Sequence, residues 1–222
     1  MNWRPKLWAK MQSEAAKLNT SSEWSRLRQM FSRSFDQKGS SDFDLNSDNP
    51  PANVTYRSAA VLIPIVARGR GLEVILTKRA AHLKHHPGQV SFPGGKVELS
   101  DKSAEAAAIR EAWEEIGVMQ EQVQILGRLP NHKTVTGFQV QPFVAAISAD
   151  FQPHSDPNEV EEVFSVPLSH ILNAENYLVQ GRKWMGHQRW YYTVPYGPHY
   201  IWGATARMLR LFADRYEQAH ES

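Results

Sequence analysis

Short segments rich in β-branched and aromatic residues recur between residues 59 and 194, and they limit the chain to a fold built around a β-sheet. Six of them are bounded by Gly, Pro, Asn or Asp, as strands usually are. They are Ala59–Val66, Val74–Thr77, Val123–Leu129, Val140–Ile147, Val160–Val166 and Arg189–Val194. Only Ser103–Ile116 and Gly203–Tyr216 are convincing helices. Two helices are too few for a doubly wound or barrel fold, so the pattern predicts an α/β fold with a mixed sheet between helices.

The N-terminal part of the chain differs from this pattern. Because 222 residues suffice for one globular domain with an appendage, we expect residues 1–50 to form a helical extension and linker, and residues 51–222 the main domain. Apolar residues three and four apart predict two short amphipathic helices in the extension. The two sets are Trp3, Leu7, Trp8 and Met11, and Trp24, Leu27, Met30 and Phe31. Ser, Asp, Asn and Gly dominate Ser32–Pro51, which predicts a linker or long loop.

Composition excludes several classes of function. The chain has no cysteine, which excludes disulfide frameworks, thiolate metal sites and cysteine nucleophiles and favours a reducing, cytoplasmic location. The longest apolar stretch, Ala59–Ala67, is much shorter than the roughly 18 residues needed to cross a bilayer, and no export signal is visible. A net charge of +2 with dispersed Lys and Arg argues against nucleic acid as a partner. We therefore expect a cytoplasmic protein that acts on neither membranes nor nucleic acid.

The helix predicted over Ser103–Ile116 has an acidic side. At about 100° per residue, Glu115 lies about 40° to one side of Glu111 and Glu114 about 60° to the other. The residues expected to face the core lie on the opposite side of the helix; they are Ile109, Ala112, Trp113 and Ile116. The sequence thus predicts an apolar back and an acidic front.

The clustered carboxylates call for a compensating cation, because like charges at these spacings destabilise a helix by roughly 0.2–0.5 kcal/mol per pair. Hard oxygen donors on a rigid element suit Mg²⁺ or Mn²⁺, which keep several waters and take other ligands from a substrate phosphate. The alternative is a solvated acidic face offset by Arg110.

The segment before the helix favours a phosphate site. Phe92-Pro93-Gly94-Gly95 follows the strand-like Gln89–Ser91 and leads to the helix, whose first turn Asp101 or Ser103 could cap. Paired glycines let backbone amides approach a ligand closely, so this loop could orient a diphosphate beside the ion. The alternative is an ordinary turn.

These residues resemble the Nudix box. Its pattern is a glycine and a glutamate followed by Arg-Glu-apolar-x-Glu-Glu-x-Gly-apolar; Gly95 and Arg110–Val118 match it, and Asp101 stands where the pattern has its first glutamate. The resemblance implies the α/β/α Nudix sandwich with a mixed β-sheet. It also implies an acid anhydride hydrolase that uses Mg²⁺ or Mn²⁺ and a small nucleotide substrate.

The resemblance also implies roles for individual residues. Glu111 and Glu115, the closest pair on the acidic arc, are the implied metal ligands, and Arg110 is implied to hold the loop by an ion pair. A general base is still needed to activate water. The candidates, which the sequence does not rank, are Glu114, Glu159 and Glu162.

A second resemblance concerns the substrate. Leu76–Ala80, Pro87–Val90 and Phe92–Gly95 look like the motif of the coenzyme A diphosphatase branch of the family, with Lys84 where arginine is usual. This implies cleavage of coenzyme A or its derivatives to adenosine 3′,5′-bisphosphate and (acyl-)4′-phosphopantetheine. The 3′-phosphate calls for further cations. The residues expected to bind substrate are Lys78, Arg79, Lys84, Gln89, Gly94 and Gly95.

Other functions stay open at this point. The chain could hydrolyse another nucleoside diphosphate derivative or a nucleoside triphosphate, or it could be a regulatory module that binds a nucleotide without turnover. The aromatic-rich stretch Tyr191–Trp202 could stack an adenine or line a pantetheine channel, or it could pack in the core. A homodimer is compatible with the sequence.

Overall fold

The computed structural model describes residues 20–32, 38–46, 54–69, 71–184 and 186–220, in which it has eleven strands and four α-helices. The strands are β1 (Ser40–Ser41), β2 (Arg57–Arg68), β3 (Gly71–Arg79), β4 (Val90–Ser91), β5 (Gly94–Lys96), β6 (Val123–Arg128), β7 (His132–Lys133), β8 (Phe138–Ile147), β9 (Val160–Pro167), β10 (Leu178–Trp184) and β11 (His187–Thr193). The helices are α1 (residues 20–32), α2 (Ala104–Ile116), α3 (Leu168–Leu172) and α4 (Ala204–Gln218).

Strand β2 is central in a mixed nine-stranded sheet. It runs parallel to β8 and antiparallel to β3 and β5. The order is β1-β7-β8-β2-β3-β4, while β6 pairs with β8 and β9 pairs with β3. The predicted α/β fold with a mixed sheet is confirmed.

Helices cover both faces of this sheet. On one face, Ala108 and Ala112 of α2 pack with Leu62 of β2. On the other, Leu27 of α1 and Phe212 of α4 lie in a second core cluster to which α3 also contributes. Because both faces are covered, β2 is apolar along most of its length rather than alternating. The predicted α/β/α layering is confirmed.

The last predicted strand does not belong to the main sheet. All six predicted strands overlap observed ones, but β11, which contains most of Arg189–Val194, pairs with β10 in a separate two-stranded antiparallel sheet. The expectation that the six strands form one sheet is therefore wrong for this segment. Strand β10 escapes prediction because Gly181, Arg182 and Lys183 interrupt its apolar pattern.

Residues before the main domain pack against it. The helix predicted around Trp24–Phe31 is confirmed as α1, whereas the helix predicted over Trp3–Met11 lies outside the described residues. Leu27 and Met30 are fully buried in the core. Strand β1 falls within the predicted linker, yet it pairs in parallel with β7. The boundary at residue 50 itself stays a prediction.

Helix α2 is rotated from the predicted orientation. Its buried residues are Ala107, Ala108, Ala112, Glu115 and Ile116, which span from about −40° to about 140° when Glu111 is set at zero. Trp113, expected in the core, is 57% exposed. The physical reason is that alanines bring the helix close to the sheet, whereas a tryptophan facing the sheet would hold it away. Glu115, which lies between alanines on the helix surface, is therefore carried into the interface.

Candidate active site

The start of α2 is fixed by its local sequence. Of the two predicted caps, Ser103 accepts the Ala106 N–H on its Oγ at 3.1 Å, while Asp101 binds Arg110 instead. The helix ends at Gly117, whose left-handed conformation has φ 74°. Between these ends, the three glutamates are held on one rigid element.

Glu115 is a buried carboxylate beside β5. Its side chain is 3% exposed, and its Oε2 accepts the Gly94 N–H at 3.3 Å. The nearest guanidinium nitrogen of Arg79 is 3.9 Å from Oε1. Burial raises the pKa of Glu115 to about 8; Gly94 and Arg79 oppose the rise, and the charges of Glu111 and Glu159 add to it. The carboxylate is thus buried with little compensating charge, as in sites that bind a ligand or cation.

Glu111 lies directly against the backbone of β5. A Cβ on Gly95 would be 2.5 Å from the carboxyl carbon of Glu111, so any side chain there would have to displace this carboxylate. Burial raises the pKa of Glu111, Arg110 opposes the rise, and the charges of Glu114 and Glu159 add to it. Gly94 and Gly95 pair with β2, so their interpretation as an ordinary turn is wrong: they form a strand because two backbones and a helix meet closely here.

Arg110 holds the loop before α2 in place. Its Nε and Nη2 each lie 3.0 Å from an oxygen of Asp101, and Nη2 also donates to the Lys96 carbonyl at 3.2 Å. Its Nη1 lies 3.0 Å from both Glu111 and Glu114. The guanidinium lowers the pKa of Asp101, and hydrogen bonding to Asp101 raises the pKa of Arg110 above its ordinary value. These contacts agree with the predicted role of Arg110, which is to hold the loop by ion pairs; that role stays a proposal.

The three candidate bases lie in different surroundings. Glu159, just before β9, acts electrostatically on both Glu111 and Glu115. Glu114 pairs with Arg110. Glu162 lies 3.6 Å from Nε2 of His199, whose ring stacks on Phe164. Of the three, the structure brings Glu159 and Glu114 close to the Glu111 and Glu115 pair.

The predicted substrate-binding residues also separate. Nζ of Lys78 is 2.6 Å from Glu161, an ion-pair partner that sequence reasoning missed. The β3–β9 register shifts between Lys78 and Arg79, and such a bulge re-aims the side chain that follows it. Arg79 lines a cavity together with Gln89 and Gly94. Lys84 is exposed in the loop after β3 and does not line this cavity.

This cavity, of about 400 Å³, is lined at one end by Arg79 and Gly94, which both contact Glu115, and it extends to the β10–β11 hairpin and α4. The glutamates of α2 do not themselves line it. Its volume is in the range of small-molecule sites. The cations in its wall that sequence reasoning missed are Arg182, Arg189 and Arg207. Trp190, Tyr191, Tyr192 and Trp202 also line it. The alternative that this aromatic stretch only packs in the core is therefore wrong, because these four residues line a cavity.

Residues 40–46, here called the β1 turn, close one side of the cavity. Asp42 bonds the fully buried His132 at 3.1 Å, and the other ring nitrogen of His132 is 2.9 Å from Ser40. The Asn46 amide both accepts from and donates to the Trp190 backbone, at 2.9 and 3.1 Å. Asp42, His132 and Ser40 are the residue types of a hydrolase triad. Because Ser40 and His132 are buried, however, their hydrogen bonds fit a structural role, in which they hold the β1 turn against β7.

The residues present fit a divalent cation. The donor set is hard oxygen, as Mg²⁺ and Mn²⁺ prefer, and among the described residues the cation paired with the buried Glu115 is Arg79, at 3.9 Å. Among the described residues, no three acidic or imidazole groups converge as the ligands of one ion. Mg²⁺ commonly takes one or two carboxylates and completes its shell with water and substrate phosphate, so Glu111 and Glu115 suffice as the protein's ligands.

Fold and site together define a Nudix hydrolase, and comparison with known proteins agrees: residues 55–188 match the NUDIX domain, and the chain belongs to this family. Nudix hydrolases act on nucleoside diphosphate derivatives and generally use a divalent cation such as Mg²⁺ or Mn²⁺.

Individual relatives place the chain within the family. The uncharacterised Nudix hydrolase NudL of Enterobacter sp. strain 638 is 46% identical over 158 residues, which cover 71% of this chain and 81% of the relative. NudL of Escherichia coli K12 strain DH10B is 42% identical over 163 residues, covering 72% and 83%. Among solved structures, the MutT protein of Methanosarcina mazei Go1 matches with a TM-score of 0.49 and 21% identity over 78% of this chain and all of that one.

In the described part of the chain, no helix is long and apolar enough to span a membrane.

Replacing Gly95 by alanine is expected to weaken binding of Mn²⁺ about tenfold or more, because the new Cβ would displace the Glu111 carboxylate. The displaced group is the end of a flexible side chain, so the fold should survive. Titration calorimetry with Mn²⁺ measures the effect. Gly71→Ala is the matched control, since its Cβ would make only an ordinary contact at 3.7 Å with Glu23. Equal Mn²⁺ affinity in Gly95→Ala and wild type would contradict the placement of Glu111.

Proposed function

We propose that the chain hydrolyses the diphosphate of coenzyme A or its derivatives, giving adenosine 3′,5′-bisphosphate and (acyl-)4′-phosphopantetheine. The observation that carries the proposal is the convergence of the branch motif on one place. Arg79, Gln89 and Gly94 come from separate segments of that motif, yet all three line one cavity, and Arg79 and Gly94 also contact Glu115. A diphosphate at this end of the cavity would meet Arg79 beside the glutamates of α2.

In the proposed reaction, water attacks one phosphorus of the diphosphate. An ion held by Glu111 and Glu115 would supply positive charge beside the phosphate oxygens that gain negative charge. Arg79 adds a guanidinium on the cavity side, where it can bind phosphate oxygens in a bidentate manner. Arg110 keeps Glu111 and the loop from Lys96 to Asp101 in fixed positions, which limits the reorganisation needed during the reaction.

Glu159 is the base that the geometry favours. It lies near the two proposed metal ligands, and it is exposed enough to meet water. Glu114 and Glu162 are already paired with Arg110 and His199. In this role, Glu159 takes the proton that the attacking water loses.

Incubation with coenzyme A and Mg²⁺ tests the proposal directly. We expect adenosine 3′,5′-bisphosphate and 4′-phosphopantetheine in equal amounts, identified by chromatography and mass spectrometry. A parallel panel holds ADP-ribose, dinucleotides and nucleoside triphosphates with Mg²⁺ or Mn²⁺. Faster cleavage of any of these than of coenzyme A would overturn the substrate assignment while leaving the family intact. Tight nucleotide binding without product from any substrate would instead favour a regulatory module.

A further inference from the structure

Two arginines lie directly opposite each other on the β10–β11 hairpin. Arg182 of β10 pairs in register with Arg189 of β11, so both side chains leave the same face of the hairpin. Like charges in directly opposed positions destabilise a strand pair. Both side chains line the cavity, so its wall carries two guanidinium groups at this place.

Each of the two guanidinium groups lies over an aromatic ring. The guanidinium carbon of Arg182 lies 4.9 Å from the centre of the Trp202 ring, and that of Arg189 lies 5.1 Å from the centre of the Phe43 ring. Stacking on a ring restrains an arginine but leaves the N–H groups at the edge of its plane available to a ligand. The hairpin therefore presents preorganised donors to the cavity.

Other cations of this region are already neutralised by carboxylates. Arg207, in the same cavity wall, lies 2.8 Å from Asp44, and Lys78 binds Glu161. Within the described residues, Arg182 has no carboxylate within 4 Å. The cavity is therefore cationic at the hairpin, away from the glutamates of α2.

The hairpin end of the cavity also offers surfaces for a base. Tyr191 of β11 and Trp202 line it, and their rings meet edge to face at 5.3 Å. Aromatic faces stack nucleobases without need of specific hydrogen bonds. Rings beside an arginine pair are suited to a nucleoside that carries its own phosphate.

We propose that Arg182, opposite Arg189, binds a phosphomonoester on the substrate's nucleoside, separate from the scissile diphosphate. The proposal rests on the proposed function, in which this group is the 3′-phosphate of coenzyme A. It moves the recognition of that phosphate from Lys78, Arg79 and Lys84, where the sequence led us to expect it, to the β10–β11 hairpin. Arg182 is then a specificity residue with no part in the chemistry.

Kinetics with coenzyme A and dephospho-coenzyme A provide the first test. Arg182→Ala is expected to lower kcat/KM for coenzyme A about tenfold or more and to leave dephospho-coenzyme A almost unaffected, so that the preference between them is lost. Lys183→Ala, on the opposite face of the same strand, is the matched control and should keep the preference. The Arg182→Ala protein should fold normally, because Arg182 is exposed and exposed substitutions usually change stability little. An unchanged preference in this variant would overturn the proposal even if coenzyme A is hydrolysed.

Binding of nucleotides without a diphosphate provides a test that does not depend on turnover. In metal-free protein, calorimetry should show that adenosine 3′,5′-bisphosphate binds about tenfold or more tightly than AMP, and Arg182→Ala should abolish the difference. This result without hydrolysis of coenzyme A would refute the proposed function and keep the phosphomonoester site. Equal affinities for the two nucleotides in wild type would refute the site.

Discussion

Replacing Glu111 or Glu115 by glutamine is expected to lower kcat by about a thousandfold or more. The reason is that loss of a carboxylate ligand removes the charge that holds the cation beside the diphosphate, and such a cation contributes several kcal/mol to the transition state. Glutamine keeps the size and shape of the side chain. Because Glu111 lies against Gly95 and Glu115 against Gly94, both substitutions should preserve the packing of α2 on β5.

The measurement is kcat with saturating substrate, alongside the dissociation constant for Mn²⁺. Both variants should lose affinity for Mn²⁺ as well as activity. Glu105→Gln, an exposed glutamate in the first turn of the same helix, is the control and should behave as wild type. Glu159→Gln should lower kcat about 10²–10⁴-fold with unchanged Mn²⁺ affinity. Wild-type turnover in either Glu111→Gln or Glu115→Gln would remove the pair from the reaction.

Metal-free protein is expected to lose stability as the pH rises from about 4.5 to about 8. The folded state raises the pKa of Glu115 from 4.5 to about 8, so the folded protein holds a proton over a range in which the unfolded chain has released it. Linkage then lowers the free energy of unfolding with rising pH across this window and leaves the loss complete above it. At about 1.4 kcal/mol per pKa unit, the loss is on the order of a few kcal/mol.

Urea denaturation in EDTA at pH 5, 6.5 and 8 measures this effect. Glu115→Gln removes the buried charge, so its free energy of unfolding should exceed that of wild type by an amount that grows with pH. Mg²⁺ at pH 8 should stabilise wild type but hardly affect the variant. If the free energies of unfolding of wild type and Glu115→Gln differ by the same amount at all three pH values, ionisation of Glu115 does not destabilise the protein. Together, the two predictions say that the Glu115 carboxylate lowers the free energy of unfolding of the metal-free protein and is required for activity.

Much of the fold follows from local patterns. The six strand segments and the helices containing Glu111 and Leu209 are predicted because apolar runs and spacings report which residues are buried. The orientation of α2 does not follow, because a hydrophobicity pattern ranks Trp113 above alanine, while close packing on the sheet favours alanine. Ala107 and Ala108, beside Glu111 on the helix surface, are the signal that could have revealed the buried side.

The site follows from sequence only where its residues are close along the chain. Glu111, Glu114 and Glu115 lie on one helix, so their spacing predicts their proximity. Arg182 is over 60 residues beyond Glu115, and no spacing rule connects a hairpin outside the main sheet with the cavity it lines. Glu161 was missed for a similar reason, since its pairing with Lys78 depends on the register of β9 against β3.

The construction of the cavity separates two kinds of evolutionary change. One end of it comes from β3 and the segment from Gln89 to Gly94, which lies beside the proposed metal ligands, whereas its far walls come from the β1 turn, the β10–β11 hairpin and the start of α4. The β1 turn and α4 both lie outside residues 55–188, which match the family. If the proposed function holds, we expect mutations in these walls to change which nucleotide is accepted while the proposed metal ligands stay in place.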